Sequence, residues 1–222
     1  MSASIQLTAT DGHRLQAHVA QPAGTPRGAI VVVQEIFGVN SHIRGIADGF
    51  AREGYLAVAP ALFDRIEPGI ELGYEPADVQ RGRQLKDASD NAKALLDIAA
   101  AIAHAGGAGK AGIVGYCWGG LLAWLAACQL DGLSAAVTYY GGGMPQHLSL
   151  KPRCPMLSHF GERDTAIPLE GVEDFRKAQP DVELHLYPAG HGFNCDQRGS
   201  YDAASAALAR DRTLAFFQRH VG

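Results

Sequence analysis

A chain of 222 residues with 47% hydrophobic and 19% charged side chains, 27 glycines and 11 prolines has a globular composition, which excludes collagenous, coiled-coil and disordered classes. At this length one core buries about 70% of the unfolded surface, so a single domain over residues 1–222 is expected. The net charge of −4 comes from 19 basic and 23 acidic residues without a block of five like charges. That excludes a nucleic-acid footprint and a polybasic membrane anchor.

In chain order, residues 5–8 and 15–20, with the turn pair Asp11–Gly12 between them, read as an antiparallel hairpin at a sheet edge. Ala29–Val33 (AIVVV) and residues 55–59 (YLAVA) are continuous apolar runs, as in strands buried on both faces of a parallel sheet. Between them Ser41 is placed to cap a helix carrying Ile43, Ile46, Ala47 and Phe50 and ended by Gly54. Residues 60–76 form a connection longer than compact domains usually carry, a candidate pocket wall. The alternation then repeats: a helical stretch over 78–105, a strand at 111–114, a helix over 119–130, a strand at 135–140 and another at 155–160. A helix at Leu169–Ala178, a strand at 182–187 and a final helix over 201–218 complete it. Strands alternating with helices indicate an α/β fold with a mostly parallel sheet flanked by helices.

Residues 111–130 hold no charge over twenty positions, the length of a membrane span. Glycines at 112, 115, 119 and 120 interrupt the run, which reads instead as a buried strand turning into a helix. The four cysteines, at 117, 128, 154 and 195, form no CxxC pair, and the first residues lack a basic flank and apolar stretch. A reducing, cytoplasmic setting is expected, with no membrane association.

The chemistry concentrates in three loops. GYCWGG at 115–120 lies where strand gives way to helix and matches the nucleophile elbow G-x-S-x-G with Cys117 in the serine position. A thiolate there sits at the positive end of a helix. GERDTAIP at 161–168 follows the next strand but one and offers Asp164, with Glu162 and Asp174 as rivals. GHGF at 190–193 follows the strand after it and offers His191, whereas His159 and His185 lie inside strand-like runs. The order Cys117, Asp164, His191 is nucleophile, acid and base as α/β-hydrolases arrange them.

GYCWGG, QEIFGVN at 34–40, GERDTAIP and GHGF, in this order and spacing across nearly the whole chain, resemble dienelactone hydrolase, a small α/β-hydrolase family with a Cys-His-Asp triad. The resemblance implies Cys117 as nucleophile, His191 as base, Asp164 as its orienter, and Glu35 as a carboxylate beside the resting thiol that helps activate it. It implies an oxyanion hole from the backbone N–H groups of Ile36 and Trp118, and Arg81, with Arg83 competing, as the clamp of a substrate carboxylate. Substrates of the family are carboxylate-bearing lactones from aromatic breakdown, and its members are mostly monomers. No cofactor is implied, since the triad and water suffice. No metal is expected: Cys117, Asp164 and His191 lack the closely spaced ligand pair of most zinc sites. One departure stands out, because the position four residues after His191, where the family has a second arginine, holds Cys195, with Arg198 three residues further on. That loss favours an esterase or thioesterase as the alternative. A thiol-based redox sensor is a more distant one.

Overall fold

A computed structural model describes all of residues 1–222. Eight strands form one sheet: β1 (Ser2–Thr8), β2 (Arg14–Ala20), β3 (Ala29–Val33), β4 (Leu56–Pro60), β5 (Ala111–Tyr116), β6 (Leu133–Tyr139), β7 (Met156–Gly161) and β8 (Glu183–Tyr187). Their spatial order is β1-β2-β4-β3-β5-β6-β7-β8. Every pairing from β4 to β8 is parallel, and the β1–β2 hairpin joins β4 antiparallel. This is the α/β-hydrolase fold. The strands with continuous apolar sequence, β3, β4 and β5, are buried at every residue, as expected where helices cover both faces.

Six helices connect and flank the strands: α1 (Ser41–Arg52), α2 (Pro76–Ala88), α3 (Asn91–Gly106), α4 (Trp118–Gln129), α5 (Leu169–Ala178) and α6 (Ala203–His220). Phe50 of α1 and Phe217 of α6 meet edge to face at 5.8 Å, while α3 and α4 pack on each other. Two sequence expectations change here. The cap of α1 is Asn40, whose side chain accepts the Ile43 N–H; Ser41 is the first helical residue. The stretch over 78–105 is two helices, because Ser89 turns extended and Asp90 accepts the amides of Ala92 and Lys93 to start α3 afresh.

The long connection after β4 opens with a 3₁₀ turn at Leu62–Arg65, then crosses the carboxyl edge of the sheet, where Glu71 bridges to Gly38. It delivers Tyr74 to the loop after β3. No helix of the structure is long and apolar enough to cross a membrane.

Candidate active site

β5 ends at Tyr116 and α4 begins at Trp118, which leaves Cys117 alone in the turn at φ 55°, ψ −117°. A non-glycine residue held there stores about 1–3 kcal/mol of strain. Close approach of the flanking backbone holds it. A Cβ on Gly115 would lie 1.8 Å from the Gly119 carbonyl oxygen, and one on Gly119 would lie 2.4 Å from that of Gln34. Both glycines of the elbow are therefore steric requirements, and the Cys117 N–H, bonded to the Tyr139 carbonyl at 3.0 Å, ties the turn to β6.

The loops after β7 and β8 bring the other two groups to the same edge. One Asp164 oxygen accepts the amides of Ala166 and Ile167 at 2.8 and 3.1 Å. The other faces His191 Nδ1 at 2.7 Å, and His191 Nε2 lies 3.1 Å from Cys117 Sγ. Burial works against a charge on His191, but its hydrogen bonds to Asp164 and Cys117 prevail and raise it to about 10. A cationic imidazole at neutral pH is the natural counter-ion of a thiolate. The rival carboxylates are exposed, Asp174 being paired with Lys177 at 3.2 Å. His159 is buried against Tyr187 and Thr213, and His185 pairs with Glu183. Tyr140, the other non-glycine residue with positive φ (38°), packs its ring 5.1 Å from His191.

The thiols differ enough to be told apart chemically. Burial pushes Cys128 up to about 12 and both Cys154 and Cys195 up to about 11, so almost no thiolate exists there at neutral pH. Iodoacetamide at pH 7 is therefore expected to label Cys117 first, read by peptide mass spectrometry. Faster labelling at any other cysteine would contradict the assignment.

The two amides expected to receive an oxyanion, those of Ile36 and Trp118, are both without a protein acceptor. The Trp118 amide is the first of α4, among those a helix leaves unpaired. The Ile36 amide, just past β3, donates to no protein group. The Trp118 indole turns away, stacked on Phe63 at 5.4 Å and donating to Asn91. Gly82 of α2 packs so closely on the Ile36 carbonyl that a Cβ would sit 2.3 Å from it, so α2 braces this loop.

Glu35 is fully buried. Its carboxylate accepts from Arg198 Nη1 at 3.3 Å and from the Tyr74 hydroxyl at 3.5 Å. The expected resting contact with the thiol is replaced by this pair, because an arginine cation is a stronger hydrogen-bonding partner for a buried carboxylate than a sulfur atom is. The Arg198 guanidinium lies over Phe37 and Tyr74, 5.6 and 5.8 Å from their ring centroids. It also fills the space a Gly192 side chain would need, 2.3 Å from a Cβ built there, and so stands beside His191. Arg81, by contrast, pairs with Glu67 on the surface, with its side chain 42% exposed. Tyr74 carried no sequence signal beyond its place in a long loop.

Residues 15–221 match the profile of the Dienelactone hydrolase family. The chain belongs to this family. It is 37% identical to the carboxymethylenebutenolidase of Pseudomonas putida over 97% of this chain and 96% of that one. The same enzyme name and the same identity and coverage hold for a Pseudomonas knackmussii relative. Among solved structures, a candidate dienelactone hydrolase from Klebsiella pneumoniae superposes with a TM-score of 0.85 at 31% identity, covering 99% of this chain and all of that one. As a member of the dienelactone hydrolase family, the protein is a hydrolase of ester or lactone bonds.

Proposed function

We propose that the protein opens a carboxylate-bearing lactone, of the dienelactone-to-maleylacetate type, through an acyl thioester on Cys117. The observation that carries this reading is the continuous hydrogen-bonded line from Asp164 through His191 to Cys117, with the Glu35–Arg198 pair at its side. Sγ attacks the ring carbonyl, and the Ile36 and Trp118 amides receive the oxyanion. The C–O ring bond breaks, and the leaving enolate, tethered within the acyl group, takes the Nε2 proton of the His191 imidazolium and so leaves the ring neutral. His191 then takes a proton from water, hydroxide adds to the thioester, and the thiolate departs as the free acid forms.

Arg198 gives the cycle its selectivity. A substrate carboxylate and Glu35 compete for one guanidinium, so an acidic substrate that takes Arg198 frees Glu35 to turn toward the thiol. Arg198 thereby supplies the cation missing at the Cys195 position, with Arg81 as the second candidate clamp once it leaves Glu67. The protein acts on a small molecule, as a monomer and without a cofactor.

Decay of a dienelactone's ultraviolet absorbance tests this, in the presence of the wild type, Arg198→Ala and Arg81→Ala. The wild type is expected to clear the lactone rapidly. Arg198→Ala is expected to lose at least tenfold in kcat/KM for the lactone while hydrolysing an uncharged nitrophenyl ester nearly as before, the mark of a lost charge-assisted contact. A wild type that cleaves esters or thioesters but leaves the lactone untouched would overturn the substrate assignment.

A further inference from the structure

Behind the Glu35–Arg198 pair lies a cluster in which Glu35 meets two side chains that the hydrolytic reaction does not use, His42 and Cys195. A Glu35 oxygen, a His42 ring nitrogen and Cys195 Sγ lie within 4.8 Å of one another, and all three residues are buried. His42 is only 6% exposed, and its Nε2 has no hydrogen-bond partner. Its other nitrogen, Nδ1, faces the Asp196 carboxylate at 3.6 Å. A carboxylate on one ring nitrogen with the other lone pair free is how metal-binding histidines are oriented. Unpartnered buried polar atoms call for a missing occupant, whether water or an ion.

We propose that Glu35, His42 and Cys195 form a binding site for a divalent transition-metal ion of the zinc class, through a carboxylate oxygen, His42 Nε2 and Cys195 Sγ, with a fourth position open. A mixed oxygen, nitrogen and sulfur donor set suits zinc or cobalt and rejects magnesium and calcium, which take oxygen ligands. Tetrahedral bonds of this kind place donors about 3.5 Å apart, so side-chain rotation of about 1 Å closes the present cluster. On binding, the Cys195 thiol gives its proton to solvent and its sulfur bonds the ion; no electrons change hands. The ion has a way in: a cleft of about 460 Å³ between α1 and α6, lined by Ser41, His42, Asn194, Asp196 and Arg210, reaches His42. Arg198, 21% exposed, can swing outward as the ion takes over Glu35. Metal and Arg198 then exclude one another, and the ion inhibits hydrolysis by removing Glu35. That last consequence rests on the proposed role of Glu35, whereas the coordination itself does not.

Cobalt absorption of the Cys117→Ala protein tests the site, since this background removes the competing thiol–imidazole pair of Cys117 and His191. One equivalent of Co2+ is expected to give a thiolate charge-transfer band that Zn2+ displaces. The band should vanish in Cys117→Ala/Cys195→Ser, and affinity should fall at least tenfold in Cys117→Ala/His42→Gln. Absence of the band in Cys117→Ala, or its persistence without Cys195, overturns the site. Should a second substitution prevent folding, X-ray absorption of the zinc-loaded Cys117→Ala protein decides: one sulfur ligand supports the site, and none refutes it. Zinc should also inhibit ester hydrolysis by the wild type more strongly than by Cys195→Ser. Equal inhibition with the cobalt band intact would remove the role given to Glu35 and leave the metal site standing.

Discussion

Cys117→Ala is expected to lower kcat for ester or lactone hydrolysis by about 10⁴-fold or more while leaving the fold intact. The size follows from the proposed cycle. Without Sγ no acyl thioester forms, and His191 at the end of its hydrogen-bonded line has nothing to activate except water placed too far from a bound carbonyl. What remains is substrate binding and the proposed oxyanion amides, which without a nucleophile leave a residual of about 10³–10⁴-fold over water. Folding is preserved because φ of 55° at residue 117 suits alanine no worse than cysteine, and the glycines that permit the turn are untouched. Replacing Asp164 by Asn probes the other end of the line. That carboxylate is the first of the groups raising His191, so its loss lowers the imidazole and frees the ring to turn. Progress curves with circular dichroism on the same samples separate chemistry from folding. A Cys117→Ala protein that kept a tenth of the wild-type rate would remove the cysteine from the mechanism.

The meeting of Cys117, Asp164 and His191 was legible in the sequence for a reason of topology. In a parallel sheet every loop after a strand emerges at one edge, so Cys117 after β5, Asp164 after β7 and His191 after β8 needed only correct strand assignments to be brought together. The central strands β3, β4 and β5 were legible because each is a run without a charged residue, buried along its whole length. What escaped depends on packing between distant segments. Tyr74, Arg198 and His42 converge on Glu35 from the long loop, the loop after His191 and α1, and no periodicity records such a meeting. The break at Ser89–Asp90 was hidden because α2 and α3 both continue a helical pattern, and only the Asp90 cap separates them. Asp97 resembled one more charge on a helix, yet it is fully buried. Its partner Arg65, 32 residues away, sits in the 3₁₀ turn.

That pair carries the largest stability effect expected in the molecule. Arg65 donates to both oxygens of Asp97, Nε at 2.7 Å and Nη2 at 2.8 Å, and with Nη1 reaches Asp11 in the β1–β2 turn at 2.8 Å. One guanidinium thus ties the hairpin, the long connection and α3 together. Arg65→Met removes the cation and leaves Asp97 without a counter-charge, which costs about 3–5 kcal/mol for a buried pair broken on one side. Burial raises Asp97 while Arg65 opposes that rise, so in the variant the carboxyl goes higher still. The sign of the pH dependence follows. A folded-state carboxyl titrating above its unfolded value favours the protonated native state, so the variant's deficit is smallest near pH 4 and widens as pH rises through the native value. Arg65→Met/Asp97→Asn, which removes both charges, is expected to recover part of the loss, and urea denaturation of the four proteins closes the cycle. A deficit below 1 kcal/mol that is flat from pH 4 to 8 would show that Asp97 is solvated and that Arg65 is dispensable to the fold.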